Sequence, residues 1–198
     1  MIFIIYLCPI PPKPKTSTHH YPKTIPSKPG ENTREQKNPT QKSTYNPHPP
    51  TTPQPNDFQH WYNQTVLASQ LGADFRLLRK ILGTFPEYSN AFVIGPSITQ
   101  PDKKRRIQFL EKFLQGGGAD AVDAVTFHQY YVNGRTATPK DFTDPQILDE
   151  IIPEIQVAIN LAKKYQKTRK LEVWLGETAS AYGGGAKGLS DSYIAGFM

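Results

Sequence analysis

The chain has a single cysteine, Cys8, and no apolar run as long as its opening MIFIIYLCPI. One thiol excludes a disulfide framework within the chain and a cysteine-built metal site. The opening run is too short for a bilayer, which takes about 20 apolar residues. It could pass for the apolar core of a secretory signal. It lacks a basic n-region, however, and PPKPK follows where small residues would mark cleavage, so no convincing signal is present. Neither G-x-S-x-G nor H-E-x-x-H occurs. Gly183–Gly185 has the wrong spacing for a dinucleotide fingerprint, and Gly116–Gly118 follows a helical pattern rather than a strand, so neither cradles a phosphate.

The scarcities are uneven along the chain. Only Gly30 of the glycines lies before residue 56, whereas thirteen of the 19 prolines lie at or before Pro55. That segment has almost no Leu, Val or Phe after its first ten residues, and it cannot bury enough apolar surface to offset chain entropy. Residues 1–55 are expected to be disordered with local polyproline-II character. His19, His20 and His48 fall here and lack the scaffold a metal site needs. Up to Asn56 there are seven Lys/Arg against two Asp/Glu; beyond it there are sixteen against fifteen. The overall charge of +6 is therefore mostly a property of the leading segment. It argues neither for nucleic acid nor for any other polyanion as a partner of the folded part.

Globular sequence starts near Asp57. Apolar residues at Val66, Leu67, Leu71, Phe75, Leu78 and Leu82 predict a helix over about 58–82. AFVIGPSI, 91–98, reads as a strand and 106–115 as a second helix ended by Gly116–Gly118. VDAVTFHQYYV reads as a strand. A third helix over 144–165 has Asp144 as its cap, Pro145 at its first position, and Pro153 as a candidate break. LEVWLGE then reads as a strand running into a glycine-rich loop. Helices alternating with strands at these spacings mean parallel βα units. Three such strands are too few to close a barrel, so the pattern reads as a slice of a larger α/β fold, with a small doubly wound domain as the alternative.

Glu177 ends the last strand. In a (β/α)8 barrel, catalytic groups sit at the C-terminal ends of strands, where a partly desolvated carboxylate suits a nucleophile or base. The plain alternative is a glutamate that meets solvent or pairs with Arg135. No metal-ligand cluster suggests itself.

WLGETASAYGGG, TFHQYYVNGRTAT and LSDSYIAGF resemble the heparanase family, glycoside hydrolase family 79, and the likeness extends through SQLGADF, IGPSITQP and DPQILDE. It covers about residues 54–198. The resemblance implies an incomplete TIM barrel over 56–198, holding about strands five to seven. The remaining strands and a β-sandwich would belong to the complete enzyme. It implies retaining endo-β-glucuronidase chemistry on heparan sulfate or heparin, with no metal or organic cofactor. Glu177 would be the nucleophile.

The family's acid/base ends strand four in Asn-Glu-Pro-Asn. This chain has Pro53-Gln54-Pro55-Asn56, so Gln54 takes the acid/base place. Its amide has no titratable proton to deliver. Truncation is the expected cause, an inactivating substitution the alternative.

The resemblance further makes Gln100 a sugar-binding residue, and Lys103, Lys104, Arg105 and Arg106 a sulfate-binding run. His128 and Tyr130, two residues apart on one strand face, would help to orient the nucleophile. Arg135 would meet a carboxylate or sulfate with its guanidinium fork, and Tyr182, Gly183 and Gly184 would offer backbone N–H groups to the uronate. Asn63-Gln64-Thr65 is a glycosylation sequon. The family's compartments are the lysosome and the extracellular matrix, at times in association with membranes.

Overall fold

A computed structural model of the chain describes residues 54–57 and 63–198. The segment expected to be disordered lies, up to residue 53, outside the described residues.

Helix α1 spans Ala68–Gly83 and buries Ala68, Leu71, Phe75 and Leu82 along one stripe. It starts ten residues later than the apolar spacing suggested. Residues 58–62 lie outside the described residues, and Asn63 has a positive φ of 50°. Leu67 is extended, with φ −80° and ψ 118°. Val66, ahead of the helix, still packs on the core.

Strand β1, Ile94–Thr99, is shorter than expected at its start. Helix α2, Lys104–Phe113, runs into a widened turn over Leu114–Gly118, where Gly117 takes φ 118°. The turn can press against α1 because its last three residues, Gly116–Gly118, lack side chains. A Cβ on Gly72 would collide with the Phe113 carbonyl, and one on Gly116 with the Ser69 backbone.

Strand β2 is Ala124–Asn133. Helix α3, Pro139–Thr143, was not foreseen; it carries a reciprocal Thr138–Asp141 capping box. Helix α4, Pro145–Asp149, has the expected cap, with the Gln146 N–H donating to Asp144 Oδ1 at 2.9 Å. Helix α5 is Ile151–Tyr165. The break between α4 and α5 falls at Glu150 rather than at Pro153 itself. A proline ring collides with the carbonyl four residues earlier, here that of Asp149, so the interruption appears upstream of the proline. Strand β3 is Glu172–Tyr182, so it runs five residues past Glu177, which was expected to end it.

The three strands form one parallel sheet in the order β1-β2-β3. Val125 and Phe127 of β2 and Ile98 of β1 point into a core shared with Leu71 and Phe75 of α1, Leu110 and Phe113 of α2, and Ala158, Leu161 and Ala162 of α5. Thr126, His128 and Tyr130 occupy the opposite face of β2. A parallel sheet with helices on one face and polar residues on the other is consistent with part of a TIM-barrel domain.

Candidate active site

The site is built by two irregularities that flank His128. On the β3 side, Phe127 pairs with Leu175 but His128 pairs with Glu177, so Gly176 has no counterpart on β2. On the β1 side, Pro96 pairs with Thr126 and Ile98 with Phe127, leaving Ser97 as the extra residue at φ 57°. A bulge of one residue reverses which side chains share a face. Strict alternation would put Glu177 with Val173 and Leu175, on the helix side. The bulge at Gly176 turns it onto the face of His128 instead. The bulge at Ser97 does the same for Thr99, which pairs with His128 from the other side. Ser97 is held in place by Thr126, whose Oγ1 accepts the Ser97 N–H at 3.0 Å.

His128 is buried at 6% exposure, and the Glu177 side chain is 40% exposed. Burial pushes the His128 imidazole below its usual pKa; the Glu177 charge opposes this without overcoming it. Nδ1 of His128 lies 3.6 Å from Glu177 Oε2, an ion-pair distance too long for a hydrogen bond. The same Nδ1 lies 3.1 Å from the amide nitrogen of Gln54, itself buried. The expected acid/base position and the expected nucleophile thus meet at one ring nitrogen. Gln54 is held there through its neighbour: Asn56 Nδ2 donates to Thr99 Oγ1 at 2.6 Å, and the Thr99 N–H donates to Asn56 Oδ1 at 3.1 Å. This two-bond clamp seats the turn Pro55–Asp57 on the end of β1.

Gln100 also reaches this face, where its Nε2 donates to the Tyr130 carbonyl at 3.4 Å. Tyr130 is buried two residues beyond His128. Arg135 sits in the turn after β2, its N–H donating to Asn133 Oδ1 at 3.0 Å. That turn meets the glycine loop through backbone: the Gly134 N–H donates to the Tyr182 carbonyl at 3.0 Å. Gly183 and Gly184 both have positive φ, 82° and 91°. The basic run is not uniform. Lys103, Lys104 and Arg105 are exposed at the start of α2, whereas Arg106 turns back to Asp102 Oδ1 at 2.7 Å. Asn63 is exposed.

Sequence reasoning missed Thr99, Thr126 and the bulges. A glycine inside a strand pattern, as in LEVWLGE, is a bulge signal, and it was available. The Ser97 bulge had no comparable marker. Among the described residues there is no group of three or more His, Cys, Asp or Glu placed to hold a metal ion.

A carboxylate and polar partners are thus gathered on the open face of a parallel sheet in a βα scaffold. Residues 59–198 match the glycosyl hydrolase family 79, N-terminal domain, and the chain belongs to this family. It is similar to heparanase of Bos taurus, with 45% identity over 145 residues, 73% of this chain and 26% of that protein. Heparanase of Gallus gallus is 43% identical over 73% of this chain and 27% of its own length. Inactive heparanase-2 of Homo sapiens is 34% identical over 73% of this chain and 24% of its own. The chain spans about a quarter of the length of the curated relatives it matches.

Proposed function

We propose that this chain carries the nucleophile half of a heparanase-like, retaining glycoside hydrolase site, with β1–β3 as strands five to seven of the barrel. The observation that supports it is the bulge that sets Glu177 opposite His128, with Gln54 on the same ring nitrogen. In a double displacement, a Glu177 carboxylate oxygen attacks the anomeric carbon of a glucuronide. The leaving oxygen takes a proton from a second carboxyl about 5 Å away. Gln54 stands at that second place and has no proton to give, so sugars with poor leaving groups are not cleaved. A sulfated, uronate-containing glycan fits the exposed cations of the Lys103–Arg105 run and Arg135.

A dinitrophenyl β-glucuronide tests this, because dinitrophenolate departs without acid assistance. The purified chain should accumulate one glucuronyl adduct on Glu177, found by intact mass and peptide mapping. Gln54→Glu should then raise heparan sulfate cleavage by about 10²-fold or more, the ordinary contribution of a general acid. No adduct in either protein, or an adduct elsewhere, overturns the proposal.

The exposure of Lys103, Lys104 and Arg105 favours a second reading, a non-catalytic fragment that holds sulfated glycan. Retention of the chain on a heparin column, lost on neutralising those three residues while Glu177 stays unlabelled, would select it.

A further inference from the structure

We infer that residue 54 decides which nitrogen of His128 carries the proton, and through it whether Glu177 has a hydrogen-bond donor beside it. The inference deepens the reading above and rests on it only for the catalytic meaning of positions 54 and 177.

It starts from a conflict at one atom. Nδ1 of His128 faces both the Gln54 amide nitrogen, at 3.1 Å, and Glu177 Oε2, at 3.6 Å. An imidazole nitrogen is either a donor or an acceptor, never both. If Nδ1 accepts from the amide N–H, it carries no proton, the ring is the neutral Nε2–H tautomer, and Glu177 gets nothing from it. If Nδ1 carries a proton, it can turn to Glu177, but it then confronts an amide N–H pointed at it. The distances favour the first arrangement: 3.1 Å is a hydrogen bond and 3.6 Å is not. Burial of the ring disfavours the cation, so the choice left to these contacts is between the two neutral tautomers. Among the described residues, Glu177 is the charge that acts on the ring; across the sheet His128 pairs with the neutral Thr99 on β1 and with Glu177 on β3, with Gly176 beside the ring. Gln54 is held by the Asn56–Thr99 clamp, so the amide is presented by a fixed backbone turn.

The consequence concerns the type of residue at position 54. A glutamine there removes an acid and also withdraws His128 from Glu177. A carboxylate at 54 reverses both. It adds an anion at hydrogen-bond distance, which favours a proton on Nδ1, and His128 becomes a cation set between two carboxyl groups. His128 is thus a positioning residue whose state is written by its neighbour on the adjoining turn.

Long-range ¹H–¹⁵N spectra of the full chain, which distinguish protonated from bare imidazole nitrogens, test this. In the native chain, Nδ1 of His128 should be bare and Nε2 protonated. Gln54→Ala should place the proton on Nδ1 and raise the titration midpoint. Gln54→Glu should raise it further, by roughly 1–3 pH units relative to the native chain. Glu177→Gln should leave the native tautomer unchanged, because Gln54 sets it. A protonated Nδ1 in the native chain overturns the inference, as does a tautomer that switches in Glu177→Gln but not in Gln54→Ala. Should Gln54→Ala lose its dispersed spectrum, the native and Glu177→Gln spectra still decide. None of these readouts needs turnover. A Gln54→Glu protein with the shifted histidine but no glycosidase activity would sink the functional proposal and leave this one standing.

Discussion

Glu177 stands opposite His128 because Gly176, the residue before it, has no partner on β2. A strand is pleated with a period of two, so one unpaired residue is enough to carry a side chain from the helix-covered face to the open one. The extra residue is also the smallest possible. A Cβ at Gly176 would lie 3.4 Å from His128 Cδ2 and 3.5 Å from its Nε2.

That geometry bears on two changes at one position. Gly176→Ala places its methyl in ordinary contact with the ring and is expected to cost less than about 1 kcal/mol by urea denaturation. Deleting Gly176 removes the extra residue, so Glu177 follows Leu175 in regular alternation and still falls on the open face opposite His128. The glucuronyl adduct should therefore survive the deletion, as intact-mass analysis would show.

Glu154 of α5 makes stability fall as pH rises. Its residue is 4% exposed, and among the described residues its Oε2 has no hydrogen-bond partner. Burial, followed by the charges of Asp102 and Glu150, pushes its pKa up to about 7 against the smaller pull of Arg106. Between the unfolded value near 4.5 and about 7, the folded state binds more proton than the unfolded one. The contribution is therefore complete below pH 4.5 and is lost as pH climbs through 7, by an amount on the order of 2 kcal/mol. His128, with a lowered pKa, acts oppositely and only below its unfolded value of 6.5. Urea midpoints from pH 4.5 to 8 should show the decline, and Glu154→Gln should flatten it while leaving the histidine's slope.

Asp123 joins the N-terminal ends of all three strands. Its carboxylate accepts from Arg79 of α1, from the Val93 N–H at 2.8 Å and from Arg169 at 2.7 Å, and Arg79 also reaches the carbonyls of Ala91 and Ala121. Asp123→Ala leaves a half-buried guanidinium and a backbone N–H short of an acceptor. A loss of about 3 kcal/mol is expected. Arg169→Ala, at the more exposed partner, should cost less than about 1 kcal/mol. Chemical denaturation of both variants checks the ratio.

Two glycines of α1 should respond with opposite signs. Gly72→Ala drives a methyl into the Phe113 carbonyl and the Gly116–Gly118 turn. It should lower stability by about 2 kcal/mol or more, because both sides of the clash are backbone. Gly83, at the end of the same helix, has nothing within 4 Å of an added Cβ. Gly83→Ala should raise stability by about 0.5 kcal/mol through the lower entropy of the unfolded chain. Paired thermal melts suffice.

Much of the fold was legible because it rests on local patterns. The helix ending at Gly83, the strand over TFHQYYV, the Asp144 cap and the parallel βα order all follow from spacing and capping chemistry. One helix boundary failed: the first helix starts at Ala68, although Val66 ahead of it packs on the core as the apolar spacing suggested. The two-piece third helix followed from Pro153, with its break at Glu150. Helix α3 was missed although Thr138 and Asp141 advertise it, because five residues are too few to show an apolar period.

The residue types of the site and their places along the chain were set in the linear order of amino acids: a glutamate after a strand glycine, a histidine within a strand, a glutamine between two prolines. Which of them meet was settled elsewhere. Facing is a parity, and parity along a strand is lost whenever one partner skips a residue, as β2 does opposite Ser97 and Gly176. Pairing across the sheet is a long-range property, so the meeting of Gln54, His128 and Glu177 at one nitrogen exists only once strands distant in sequence lie side by side.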